Sequence, residues 1–310
     1  MSNSGFVLLD KIAGETSFKA LFPLKRVFST KRVGHAGTLD LRASGLIIAA
    51  TGRCTRLLPF IEAKDKCYSF RLHLGYETDT LEWDGEVVEQ DERTLAGSLQ
   101  TRDERTRLEA VLPQFTGDIE QIPPKYCAVK INGVRASDLM ERGRNIELKP
   151  RKIHIGELKV IGEGEVTEGC SGKEFATFDL ICECSKGTYI RALGRDIGRA
   201  LGTCGCVSMI RRHRIGDVTV DHAVRGDALT PEHLLPVDQV LDFPVVRLND
   251  DQVKAIRLGN WVPWRTPVEN LSTTPGAEKF VFTADKDGAV IGLGVYDPGR
   301  ICPKFYLGED

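Results

Sequence analysis

Two segments far apart in this chain alternate with a period of two. In residues 66–74, Tyr68, Phe70, Leu72 and Leu74 fall on one side, and Ser69, Arg71 and His73 on the other. In residues 178–184, Phe178, Leu180, Cys182 and Cys184 repeat the pattern. Successive side chains of a strand point to opposite faces, so both segments read as strands with one face in a core. Helical spacing lies between and after them. Leu108, Val111, Leu112 and Phe115 recur at i, i+3, i+4 and i+7, and Ile190, Leu193, Ile197, Ala200 and Leu201 mark a second helix. A chain that switches between the two periods in this way carries both strands and helices, and an α+β class is expected.

Other elements fit around this frame. Residues 5–10 and 45–51 read as short buried strands, residues 17–28 as a helix capped by Thr16 or Ser17, and residues 34–40 as a glycine-punctuated loop. Asp84-Gly85 marks a turn, and a further strand is predicted from Cys206 to Arg212. Ile122-Pro123-Pro124 stops any helix and opens an extended, basic segment from Tyr126 to Arg135. A domain boundary is expected near Leu241-Asp242-Phe243-Pro244. Beyond it, Phe280-Val281-Phe282, an Asp287-Gly288 turn and Ala289-Val290-Ile291 predict a hairpin within a small β-rich module. The division expected is 1–243 and 244–310.

Composition excludes several classes. At 310 residues, 41% hydrophobic and 28% charged, the chain supports packed domains of about 150 residues each and is not disordered. Its longest apolar run, Leu46-Ile47-Ile48-Ala49-Ala50, is far short of the ~20 residues that span a bilayer. Met1-Ser2-Asn3-Ser4-Gly5 has neither the basic lead nor the apolar core of a secretory signal. A cytoplasmic protein without membrane contact is expected. The nine cysteines, with Cys182/Cys184 and Cys204/Cys206 spaced by two, suit buried thiols in a reducing compartment better than zinc knuckles. The histidines are scattered. A Walker loop, a nucleophile-elbow serine and a His-Glu-x-x-His helix are missing, and Gly292-Leu293-Gly294 lies inside a predicted strand. No metal and no cofactor is expected.

The net charge of −2 hides an uneven distribution. Residues 1–60 carry nine Lys/Arg against Asp10, Glu15 and Asp40, and residues 186–214 carry seven against Asp196 alone. If the fold joined these segments they would form one cationic face suited to a phosphate backbone; otherwise they are ordinary solvated faces. Arg191, Arg195 and Arg199 recur at i+4, so they project together from their helix.

Asp40 stands alone in the acid-free stretch from Thr16 to Phe60, within the loop Gly34-His35-Ala36-Gly37-Thr38-Leu39-Asp40. A carboxylate among arginines and lysines stays ionised, which suits a nucleophile or base; it equally suits a turn cap or a structural ion pair.

That loop, followed by Ala43-Ser44-Gly45-Leu46, closely resembles the catalytic loop of the TruB family of tRNA pseudouridine synthases. Further motifs follow in order: Leu9-Asp10-Lys11, Gly14-Glu15-Thr16-Ser17, Lys66-Cys67-Tyr68, Thr78-Asp79-Thr80, residues 122–130, residues 184–191 and Ile210-Arg211-Arg212. The resemblance spans residues 5 to about 216, and the tail resembles the small PUA-like RNA-binding domain of bacterial members.

It implies a mixed, mainly antiparallel sheet flanked by helices and loops, and isomerisation of uridine 55 in the T loop of tRNA by a monomer without cofactor. Asp40 would be the nucleophile, Arg191 its partner, and Tyr68 the ring stacked on the flipped base. His35 would fill the gap the extruded nucleotide leaves; Tyr189 and Ile210 would line the base pocket. Lys19, Lys130 and Arg212 would contact phosphate or pocket. Read without the family, Tyr68, Tyr189 and Ile210 fit a plain core, His35 a turn, and the arginines a solvated helix face. A guide-RNA-dependent, dyskerin-like synthase and a non-catalytic tRNA-binding or folding protein are the alternatives, and the acidic terminus Gly308-Glu309-Asp310 speaks against the first. Departures from the usual pattern are Phe18 for asparagine, Leu41 for proline, Glu82 for aspartate, Ile210 for leucine and His213 for leucine. Ser137 and Glu141 stand where tyrosine and arginine are common.

Overall fold

The two alternating segments pair with each other. Tyr68 lies opposite Cys182, Phe70 opposite Leu180 and Leu72 opposite Phe178, antiparallel and in matched parity, so their apolar sides form one surface. The computed structural model describes residues 4–91, 101–168, 174–271 and 278–308; Met1, Ser2, Asn3, Cys170, Glu309 and Asp310 lie outside the described residues.

In chain order the first module runs β1 (Phe6–Lys11), α1 (Phe22–Val27), β2 (Val33–Ala36), β3 (Ser44–Thr51), α2 (Leu58–Glu62) and β4 (Lys66–Leu74). The hairpin β5 (Tyr76–Thr78) and β6 (Val87–Gln90), α3 (Thr101–Val111) and β7 (Gly117–Gln121) follow. A small hairpin of β8 (Lys130–Ile131) and β9 (Val134–Arg135) leads into α4 (Ala136–Glu141). The long strands β10 (Arg151–Glu168) and β11 (Glu174–Cys184), then α5 (Ile190–Ala200), β12 (Gly205–Ile215) and β13 (Val218–Thr219) complete it. The second module holds β14 (Val245–Arg247), α6 (Asp250–Arg257), β15 (Val262–Pro263), β16 (Phe280–Ala284), β17 (Val290–Asp297) and β18 (Arg300–Tyr306).

The main sheet is ordered β1-β3-β12-β4-β11-β10-β7, with β2 on β3 and β13 on β12. Every pairing is antiparallel except β3 with β12. One edge of β3 is shared: β12 pairs at Ser44 and Gly45, and β2 pairs from Ile48 to Thr51. The sheet splits there, and residues 37–43, which join β2 to β3, emerge at the split. The second sheet is ordered β14-β16-β17-β18-β15.

Both faces of the split region are buried. Val7, Leu9, Ile47 and Ala49 pack with α1, α3 and α5 on one side. Phe6, Leu8, Leu46, Ile48 and Ala50 pack on the other against Leu241 and against Phe282, Leu293 and Leu307 of the second module. This explains why residues 46–50 are continuously apolar rather than alternating. Phe60 stands edge-on to Phe243 and Phe280, at 5.4 and 4.8 Å between centroids, across the join.

Three expectations are corrected. Residues 17–28 are not one helix: they form a 3-10 turn, Lys19–Leu21, and then α1. Pro23 has no N–H to continue an α-helical ladder, and the Phe22 amide bonds to Lys19 O instead. Residues 33–36 belong to a strand rather than to the glycine loop, because β3 leaves an edge free to pair them. The arginines of 186–214 are not a free cationic face. Arg195 is buried against Asp196, Arg199 pairs with Glu77, Arg211 with Asp10 and Arg214 with Glu183.

Candidate active site

Asp40 lies on the loop at the split, and the residues on either side of it are fixed by the segment after β1. Ser17 Oγ accepts from the Leu39 amide at 2.9 Å and donates to Leu39 O at 3.0 Å. The Gly14 amide donates to Leu41 O at 2.8 Å. Lys11 Nζ donates to Glu15 O at 2.6 Å and Ile12 O at 3.0 Å, and reaches Leu41 O at 3.4 Å. Burial of that ammonium lowers its pKa, against the pull of Glu15 and Asp40. Arg212 closes the base of the loop, donating to Gly37 O at 3.0 Å and Leu46 O at 2.7 Å. The strands are so close there that a Cβ on Gly45, at φ +101°, would stand 2.2 Å from Arg212 O, so only glycine fits.

The carboxylate meets Arg191, the second residue of α5, in a two-pronged pair: Nε to Oδ2 at 2.8 Å and Nη2 to Oδ1 at 3.0 Å. The guanidinium also donates to Thr80 O at 2.9 Å and Tyr126 O at 2.8 Å. Its side chain is 5% exposed while that of Asp40 is 41% exposed. The cation is therefore buried and satisfied, and the anion it orients still faces solvent. Glu82 comes to the same place; burial raises its pKa and Arg191 opposes the rise, while its Oε1 is buried without a hydrogen-bond partner among the described residues. Asp40, alone in sequence, thus has a carboxyl neighbour in space.

A cleft of about 590 Å³ opens over the Asp40–Arg191 pair. Tyr68, Tyr189, Ile153 and Ile210 give it apolar walls, and Arg151, Lys152 and Lys186 stand among its lining residues. The Tyr68 hydroxyl bonds to Arg212, yet burial dominates and raises its pKa, so at neutral pH it is a phenol rather than a phenolate. Burial likewise raises the Tyr189 pKa, and Gln121 holds the backbone of that residue from both sides, at 2.9 and 3.1 Å. Lys66 also lines the cleft. Its amine is brought down to about 8 by burial and by Arg212, and it donates to Glu62 O and Lys64 O.

Ile210 reaches the cleft through a bulge. Between Ser208 opposite Arg71 and Arg211 opposite Ser69, β12 carries one residue more than β4. Met209 takes a φ of +53° and lies 68% exposed, and Val207 and Ile210, three apart, then share one core.

The structure brings Asp40, Tyr68, Tyr189, Arg191, Ile210 and Arg212 together. Arg212 is buried and spent on carbonyls and Tyr68, so it is a scaffold of the pocket and not an open phosphate contact. Lys19 and Lys130 are exposed and outside the cleft lining. His35 sits on β2, outside the lining too, with its pKa lowered by burial and Arg212. Sequence reasoning gave no role to Lys11, Lys66, Glu82 or Gln121, and offered Ser17 only as a helix cap, where the structure has it clamp Leu39. Lys11, Ser17 and Lys66 sit inside quoted motifs, which was the available signal; Gln121 had none.

A carboxylate pinned by a buried guanidinium thus stands at the base of an aromatic-walled cleft. Residues 25–190 match TruB family pseudouridylate synthase (N terminal domain). The chain is 40% identical over 314 residues to a tRNA pseudouridine synthase B of Bradyrhizobium diazoefficiens, covering 97% of this chain and 84% of that one. It is 37% identical over 265 residues to one from Caulobacter sp. strain K31 (83% and 80%) and 33% identical over 320 residues to one from Rhizobium meliloti (97% and 94%). Among solved structures, an H/ACA ribonucleoprotein bound to a substrate RNA containing 2'-deoxyuridine has the same fold, with a TM-score of 0.64 at 19% identity over 99% of this chain and 86% of that one. The chain belongs to the TruB family, and it is a pseudouridine synthase.

Proposed function

We propose that this chain isomerises uridine 55 in the T loop of tRNA to pseudouridine, in the cytoplasm, as a monomer whose cleft is complete within one chain. The names of its relatives support tRNA as substrate, and the Asp40–Arg191 pair within the aromatic-walled cleft is the observation that carries the reading. A stacked uridine keeps its glycosidic bond out of reach, so the nucleotide swings out at a cost of a few kcal/mol. Tyr68 stacks on the everted base, with Tyr189 and Ile210 around it. Asp40 attacks the nucleotide at the sugar C1′ or the base C6. The N1–C1′ bond breaks, the held uracil turns, a C5–C1′ bond forms, the bond to Asp40 breaks to restore its carboxylate, and the proton lost from C5 is matched by one gained at N1. Atoms and oxidation state balance without a co-reactant. His35, kept neutral by burial and with Nδ1 unpartnered among the described residues, takes the gap the base leaves in the loop. Residues 1–243 serve as the catalytic domain and residues 244–310 as a PUA-like RNA-binding module.

The test is a bare T stem-loop transcript. Wild-type protein is expected to convert the one uridine at position 55, and Asp40→Asn to bind the transcript but form no product. A wild-type protein that binds it and never modifies it, with or without a second RNA, would leave only the non-catalytic alternative. Guide dependence would show as activity solely when a second RNA is added.

A further inference from the structure

One feature of the catalytic loop's surroundings lies outside the cleft. Phe18 and Phe22, at the turn into α1, are 61% and 50% exposed, although large aromatic side chains normally bury. Their rings meet edge to face at 5.4 Å between centroids, and Lys25 Nζ sits 5.1 Å from one ring centre and 5.2 Å from the other. The pair is held in place from both ends of the turn. Ser17, which precedes Phe18, clamps Leu39, and Ala20 and Leu21 between the two rings are buried. The site is therefore rigid and joined by one residue to the loop that carries Asp40.

Its charge indicates the occupant. Lys19, Lys25, Arg26 and Lys31 follow one another here, and Asp40, already paired with Arg191, is the one acid between Thr16 and Phe60. Rings backed by these cations suit a nucleic-acid base, which offers a π face to the ring and a phosphate to the lysine. Phe18 also stands where the resembling family usually has asparagine.

We propose that Phe18 and Phe22 form a stacking platform for an unpaired base of the substrate RNA, other than the base being isomerised, with Lys25 on its phosphate. This rests on the tRNA reading and deepens it by placing a second base contact. The platform fixes the RNA beside the catalytic loop and leaves the chemical step alone.

The experiment measures dissociation constants of a full-length tRNA transcript and, separately, single-turnover rates at saturating tRNA. Phe18→Asn with Phe22→Ser is expected to weaken binding at least tenfold while the saturated rate stays within twofold of wild type. Phe18→Leu, which keeps the apolar surface and removes the π face, is expected to weaken binding as much as Phe18→Asn, and Phe18→Trp to restore it. Lys25→Gln should lower the slope of log affinity against log salt by about one. Both rings are exposed, so the variants fold, and a melting curve checks this. Binding unchanged in the double variant overturns the proposal, as does full affinity in Phe18→Leu, which marks an apolar surface for a protein. Affinity is read without product formation, so loss of the uridine-55 reading would appear in the rate and not here.

Discussion

At the scale of single residues, what the sequence could not show is who meets whom. Asp40 and Arg191 were both visible as charges, but 151 positions separate them, and only the return of α5 to the split in the sheet joins them. The stripe of Arg191, Arg195 and Arg199 was equally legible, but apart from Asp196 its acceptors are carbonyls and acids on other segments, which carry no periodicity. His73 is a further case. Alternation put it on the polar side of β4, yet it is buried, bonded through Nε2 to Ser208 Oγ at 2.7 Å and stacked on Trp83. Burial, helped by Arg71, lowers its pKa from 6.5 to about 4. The unfolded chain therefore binds a proton near pH 6.5 that the folded chain refuses until about 4. Stability is full above the first value and declines as pH falls towards the second, by about 3 kcal/mol for this group. Urea midpoints between pH 7 and 4 should flatten in His73→Gln; an unchanged slope would show that other groups carry the acid sensitivity.

At the scale of elements, period and length carried the reading well. The alternating segments, α5 and the Asp287-Gly288 hairpin appear where their patterns put them, while the helix around Leu108 ends at Val111 and Leu112–Phe115 tightens into a 3-10 turn at Pro113. Pairing partners did not show, because hydrophobic parity fixes a face and not a neighbour. The parallel contact of β12 with β3, the attachment of β2, and the bulge at Met209 all lack a local signature. The bulge is where function depends on register. Deleting Met209 should turn Ile210 away from the cleft, costing at least 100-fold in activity on the T stem-loop while far-UV circular dichroism persists. Met209→Gly keeps the bulge and removes the strain of a positive φ, so it should remain active and be stabilised by about 1 kcal/mol in denaturant titration. Equal activity in the deletion would separate Ile210 from the site.

At the scale of the whole molecule, turn residues and composition pointed to a boundary near residue 243, but nothing in the sequence pointed to the joint. Phe282 and Leu293 on the second sheet are buried with Leu46 and Ile48 of the strand that follows the catalytic loop, and Arg53 donates to Gly308 O at 2.8 Å. Sequence distance concealed this. Phe282→Ala should cost about 3–5 kcal/mol, and calorimetry should show a single unfolding transition for the wild type. An early, separate melt of residues 244–310 would mean that the shared core contributes little.

One guanidinium has a mechanical consequence for the molecule. Arg191 grips Thr80 O and Tyr126 O with the donors that Asp40 leaves over. Three chain segments therefore hang from a single peg. Any displacement of the stretch beyond Ile122-Pro123-Pro124 would pull on the same peg that aims the acid.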